Sequence, residues 1–270
     1  MSDPLFCHYP ALSAKIDRLC RVPPWRMTGA SALVCTDGGL LLEVTKPRNW
    51  RVDAEGVTHV GLGAIGGSLE GGETLLDCVQ REGQEELGTP LEVLCASETG
   101  FCADERNVSR LRLAPVLAHP LPCLFTIGAN RYRPDEIDAP TLAIASFWAR
   151  PLAPVCLGDL FGTLTLPWDA WERVVRALPL PLEALRDVPG VRLETRESLP
   201  EHTVLTPVWT VHTLQQVLAA GPLAGPSDRR HLAGSGLTTG ILSTSGTPGT
   251  QSTASQSSAH VAGGPLGLLT

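Results

Sequence analysis

Glu82, Glu85 and Glu86 lie close together in a stretch that reads as a helix from about Thr74 to Leu87. At about 100° per residue, Glu85 and Glu86 fall within roughly 60° on either side of Glu82, so the three carboxylates share one stripe. Three anions within a turn repel one another, and a cation among them relieves the repulsion. Hard carboxylate oxygens, with no thiolate or imidazole at ligand spacing, favour Mg²⁺ or Mn²⁺ over zinc. Ions of that kind stay partly hydrated and are shared with substrate phosphates, so the expected chemistry takes place at a phosphate group.

The surrounding elements must place that stripe. Leu76, Val79, Gly83 and Leu87 cluster about a quarter-turn away, as the apolar face an amphipathic helix presses onto a sheet, which puts the acidic stripe at the edge of a cleft. Upstream, Gly61, Gly63, Gly66, Gly67, Gly71 and Gly72 give a backbone that turns sharply and approaches a ligand closely. Residues 29–45 read as two strands joined by an Asp-Gly-Gly turn. In the polar loop Lys46 to Thr58, Lys46, Arg48, Trp50 and Arg51 are candidates to meet a phosphate and a base. Strands are expected at Leu91–Glu98, Pro122–Ile127 and Thr141–Arg150, with helices beginning at Trp168 and over Val208–Ala220, whose tryptophans read as core anchors.

From Gly67 to Thr89 the residues follow the pattern G-x5-E-x7-R-E-U-x-E-E-x-G-U, with U bulky and apolar: Gly67, Glu73, Arg81, Glu82, Glu85, Glu86 and Gly88 hold the fixed positions. The segment resembles the Nudix box. Gly83 and Thr89 stand where that family has bulky aliphatic residues, and Ala64-Ile65 replaces the proline that often precedes the paired glycines. The resemblance implies an α/β (α+β) Nudix fold, a mixed sheet sandwiched between helices. It implies Mg²⁺- or Mn²⁺-dependent hydrolysis of the pyrophosphate bond of a nucleoside diphosphate linked to another moiety. It further implies metal binding by Glu82, Glu85, Glu86 and the carbonyl of Gly67, with Arg81 orienting a glutamate and Glu73 and Gly88 in support. The general base would be Glu82 or a carboxylate on a later loop, where Asp104, Glu105, Asp135 and Glu136 are the candidates. Gly83 is expected to leave an unfilled place in the packing and to cost about 1 kcal/mol in helix propensity. Thr89, past a Gly88 suited to a left-handed cap, should matter less.

Competing motifs fail on context. Gly61-Leu-Gly-Ala-Ile-Gly66 spells G-x-G-x-x-G, but further glycines delay the helix that a dinucleotide fingerprint must open into, and no lysine follows as in a P-loop. Cys7, Cys20, Cys35, Cys78, Cys95, Cys102, Cys123 and Cys156 include no C-x-x-C pair and read as free thiols, Cys78 lying within roughly 40° of Glu82 on the helix. A net charge of −7 argues against a nucleic-acid partner. The lack of long apolar runs and of a signal-like N-terminus argues against a membrane and for a cytoplasmic enzyme.

The expected organisation is an N-terminal segment over 1–28, a domain over 29–220 with its core at 29–155 followed by C-terminal helices, and a disordered tail over 221–270 rich in Gly, Ser and Thr. No tyrosine or proline stands at the downstream positions that mark dinucleoside polyphosphate and ADP-ribose members, so the particular nucleoside diphosphate derivative stays open, as does a homodimer. The alternative from another class is a non-catalytic nucleotide-binding sensor on the same fold. An isomerase built on the same box is a third reading, for which its extra metal-binding residues are not apparent.

Overall fold

The computed structural model describes residues 3–131, 135 and 137–225. Two short helices come first, α1 (Pro4–His8) and α2 (Pro10–Leu19), followed by the strands β1 (Trp25–Thr36) and β2 (Gly39–Val44) with the Asp37-Gly38 turn between them. The polar loop holds a single 3-10 turn and the two-residue β3 (Arg51–Val52), and leads into β4 (Thr58–Gly63) and β5 (Ile65–Ser68). The carboxylate helix is α3 (Leu75–Leu87). After it come β6 (Leu91–Leu94), β7 (Thr99–Ala103), β8 (Asn107–Leu111), β9 (Leu124–Ala129), β10 (Thr141–Pro151) and β11 (Gly162–Leu166). The chain continues through α4 (Trp171–Ala177), β12 (Leu180–Pro181), β13 (Arg192–Thr195), β14 (Thr203–Pro207) and α5 (Trp209–Ala219).

These strands form one mixed sheet whose main order is β12-β14-β4-β2-β1-β10-β9-β7-β8. β1 and β10 run parallel at its centre, Ala30 opposite Ala145 and Leu33 opposite Trp148. β5 pairs antiparallel with β1, setting Gly66 against Ser31 and Gly67 against Ala30.

The sheet is buried on both faces, and the side-chain alternation of a strand shows how. Along β1, Leu33 and Cys35 enter a cluster with α4 and α5, whereas Ala30, Ala32 and Val34 enter a cluster with α1, α2 and α3. Along β2, Leu40, Leu42 and Val44 face α4 and α5, and Leu41 faces α3. Leu12 and Ile16 of α2 are fully buried in the α3 cluster, so residues ahead of β1 belong to the packing that supports α3. No helix among the described residues is long and apolar enough to cross a membrane.

The sequence expectations for strands near 91, 122 and 141 and for helices near 168 and 208 fall on β6, β9, β10, α4 and α5. The strands at 99–111, 162–166, 192–195 and 203–207, and the two N-terminal helices, were not among those expectations. Glu136, and the tail from residue 226 onward, lie outside the described residues.

Candidate functional site

Both ends of α3 are fastened by distant parts of the chain. At its start Thr74 and Asp77 form a capping box, and the Asp3 carboxylate accepts a further hydrogen bond from the Leu75 amide at 2.8 Å. At its end the carbonyls of Glu85, Glu86 and Leu87 accept from the amides of Asp159 (2.8 Å), Gly158 (3.0 Å) and Cys156 (3.0 Å). The carbonyls a helix normally leaves unpaired are thus met by the loop after β10. Gly88 closes the helix in the left-handed conformation.

The apolar side of α3 is Leu75, Cys78, Val79, Gly83 and Leu87, with Leu76 only partly buried. Gly83 leaves no unfilled place, contrary to the sequence expectation: a methyl there would meet the Leu91 side chain at 2.6 Å, so β6 occupies the volume a larger residue would take. Thr89 is fully buried, and its hydroxyl accepts from the Ala153 amide at 3.0 Å, a polar tie that an aliphatic side chain could not make.

On the polar side, Arg81 is the hub. Its Nε donates to Glu73 Oε1 (2.9 Å), its Nη1 to Glu82 Oε1 (2.8 Å) and Glu85 Oε2 (3.2 Å), and its Nη2 to the Ser68 carbonyl (3.0 Å). The Arg81 hydrogen bond holds the Glu73 carboxyl below its ordinary range. Glu82 reaches over the glycine loop, where a methyl on Gly67 would stand 2.0 Å from Oε1. Glu86 turns to the same loop and accepts from the Gly66 amide at 3.0 Å. Glu85, more than half exposed, points outward toward Arg81.

A carboxylate from the sheet joins them. Glu43, on β2, shares the α3 face with Leu41 and lies opposite Gly63, where a methyl would come within 2.8 Å of its Oε2. Burial, opposed by Lys46 and reinforced by the charges of Glu82 and Asp159, raises the Glu43 carboxyl to about 7. Burial and the Glu43 charge push Glu86 up to about 8, against the lowering by the Gly66 amide. Glu82 is raised too, chiefly by burial.

Lys46 stands at the rim, its Nζ 2.5 Å from Asp159 Oδ2. Of the other loop candidates, Trp50 is committed to the fold: its indole donates to the Thr45 carbonyl at 2.7 Å and packs edge-on against Phe161. Arg48 and Arg51 are exposed. Asp104 and Glu105 fill the turn between β7 and β8, with Asp104 paired to Arg21 at 2.7 Å. Neither has a recorded contact with the α3 carboxylates among the described residues, and Asp135 is exposed.

Sequence spacing therefore brought Gly67, Glu73, Arg81, Glu82, Glu85 and Glu86 to one place, Glu85 on its exposed side, and missed Glu43 and Asp159. Glu43 carried a usable signal, being the one charge in the run Leu40-Leu-Leu-Glu-Val44. Asp159 carried none.

Among the described residues, no three carboxylate, imidazole or thiol groups already converge on one point. Arg81 draws Glu82 and Glu85 to itself, and the Gly66 amide holds Glu86. The donor set nonetheless suits a hard divalent cation. It offers only oxygens, it includes two carboxylates forced upward by burial and mutual repulsion, and glycines at 63 and 67 leave room beside them.

No protein-family model and no curated protein matches the chain. Solved structures similar to it include a NUDIX hydrolase from Nitrosomonas europaea, at 15% identity over 48% of this chain and 62% of that one, with a TM-score of 0.26. The chain thus spans less than two thirds of that protein. An ADP-ribose pyrophosphatase from Streptococcus suis is 13% identical over 72% of this chain and 90% of its own, at a TM-score of 0.27. A MutT NUDIX hydrolase from Burkholderia pseudomallei is 16% identical over 72% and 99%, at 0.30.

Proposed function

We propose that the chain is a Nudix-type pyrophosphohydrolase, cleaving the diphosphate of a nucleoside diphosphate derivative with Mg²⁺ or Mn²⁺ as cofactor. The observation that carries the reading is the meeting of Glu82 and Glu86 over the Gly66-Gly67 loop, with Arg81 bridging Glu82 to Glu73. Glu82, Glu86 and the Gly67 carbonyl are the groups that would hold the ion. When bound, it supplies charge neutralisation of the diphosphate and acidification of water.

The remaining work falls to the chain. Arg81 fixes the rotamer of Glu82 through a hydrogen bond that also engages Glu73, so the carboxylate keeps its direction when charge shifts nearby. Lys46 offers an ammonium for a phosphate oxygen once it exchanges its Asp159 partner. With Asp104 and Glu105 lodged in the β7–β8 turn, Glu82 is the first candidate for the base that accepts the water proton, and Asp135 and Glu136 are the later-loop alternatives. The partner is then a small-molecule diphosphate, with no nucleic acid and no membrane.

The test is phosphate release from a panel of nucleoside diphosphate derivatives with and without Mg²⁺ or Mn²⁺, run beside Glu86→Gln. Metal-dependent turnover that disappears in the variant is expected. Turnover that survives either chelation or the substitution would overturn the reading. Metal-dependent binding without turnover would favour the nucleotide sensor instead.

A further inference from the structure

We propose that Glu43 belongs to the cation-binding set together with Glu82 and Glu86, and that Glu85 stands outside it. The inference rests on the reading above that this site takes a divalent cation.

Four α3-side carboxylates can be compared by what holds them. Glu73 and Glu82 each take a hydrogen bond from Arg81, Glu85 takes one at 3.2 Å, and Glu86 takes the Gly66 amide. Glu43 differs from them all. It accepts no hydrogen bond among the described residues, and what acts on it is burial and charge: burial, Glu82 and Asp159 unfavourably, Lys46 favourably. Lys46 is shared with Asp159, to which its ammonium is bound.

A carboxylate in an apolar strand, aimed at like charges without a donor, is costly unless a cation completes it. Alternation along β2 puts Glu43 on the face of Leu41, toward α3, and the missing side chain at Gly63 leaves space for its oxygens. Around the cluster the acidic groups (Glu43, Glu70, Glu73, Glu82, Glu85, Glu86 and Asp159) outnumber the basic ones, Arg81 and Lys46, with Arg48 and Arg196 acting on Asp159. A divalent ion offsets that imbalance, and its natural position is beside Glu43 and Glu86, on which burial acts most strongly. Glu85 is set apart by exposure: its side chain is 55% exposed, against 12% for Glu82, which shares the same Arg81 nitrogen.

The experiment is titration of the full chain with Mn²⁺ alone, without substrate, followed by electron paramagnetic resonance and calorimetry, together with thermal melts of the metal-free proteins. Glu43→Gln should weaken Mn²⁺ binding by about tenfold or more, and Glu85→Gln should leave it nearly unchanged. Without metal, Glu43→Gln should melt above the parent, because it removes an unpaired charge from a repulsive cluster. Parent-like Mn²⁺ affinity in Glu43→Gln, or a metal-free melt below the parent, overturns the assignment of Glu43. A parent protein that binds no Mn²⁺ fails the metal-dependent reading itself, and the assignment falls with it.

Discussion

The carboxylate of Glu82 lies over the Cα of Gly67, so close that a methyl group at that carbon would stand 2.0 Å from Oε1. Glycine is required there by contact with a side chain fifteen residues further along the chain, and the requirement is testable. Gly67→Ala should displace Glu82 and lower kcat by about 10²-fold, the scale of a misplacement near 1 Å. The accompanying loss of stability should be about 1–3 kcal/mol, as for an overpacked site. Steady-state kinetics and denaturant melts would check both, and unchanged kcat would show that Glu82 does not act where the structure puts it.

Arg81 holds three carboxylates and a carbonyl with one planar fork, a geometry lysine does not reproduce. Arg81→Lys should therefore lose most of the activity that Arg81→Ala loses, despite keeping the charge. Full activity in Arg81→Lys would reduce its role to charge alone.

Glu43 and Glu86 set a pH dependence whose sign follows from their raised carboxyls, at about 7 and about 8 in the fold against an ordinary 4.5. A raised carboxyl favours the folded state while it is protonated, so the stability it brings is present below its unfolded value and is lost as pH rises through the folded one. The metal-free protein should thus melt at progressively lower temperature from about pH 5 to about pH 8. Glu86→Gln should flatten that decline, as should saturating Mn²⁺. A melting temperature that is flat across this window in the parent would contradict the buried, like-charged arrangement.

Glu98 works in the opposite direction at lower pH. Burial raises its carboxyl, but the hydrogen bonds from Arg110 (2.6 Å) and Arg112 (3.2 Å) outweigh burial and hold it below the ordinary range. A lowered carboxyl stabilises the fold above its unfolded value, and that contribution is lost as pH falls through the folded one. Acid unfolding below about pH 4.5 should be less steep in Glu98→Gln, which should also be less stable near neutrality. Melts at three pH values would decide it.

If Lys46 serves the phosphate, Lys46→Ala should raise KM by about tenfold, the scale of one charge-assisted hydrogen bond, with a smaller effect on kcat. Asp159→Asn, which frees the ammonium, should not raise KM. An unchanged KM in Lys46→Ala would assign that lysine to its ion pair with Asp159 alone.

The parts of this molecule legible in the sequence are those governed by local spacing. The helix from Leu75 to Leu87, its Thr74 cap and its Gly88 stop are written in consecutive residues, and so is the turn at Asp37-Gly38. Glu82 and Glu86 meet the glycine loop because both lie on the helix stripe that spacing predicts. What remained hidden depends on pairing at a distance. Nothing near Gly83 announces that Leu91 will fill its missing side chain, and nothing near Thr89 announces the Ala153 amide. Likewise Glu43 gains its meaning only when β2 is laid beside β4 and beneath α3. Trp50 shows the same limit: an aromatic among basic residues suggests a base, and only the fold shows its indole N–H donating to the Thr45 carbonyl and its ring packed edge-on against Phe161.

One carboxylate, that of Asp3, receives the amide of Leu5 at 2.8 Å through Oδ1 and the amide of Leu75 at 2.8 Å through Oδ2. Two helices begin on a single side chain, one of them the helix that carries Glu82 and Glu86. Any truncation that removes Asp3 is therefore not neutral: the shortened protein would be, in its behaviour, a mutant of α3.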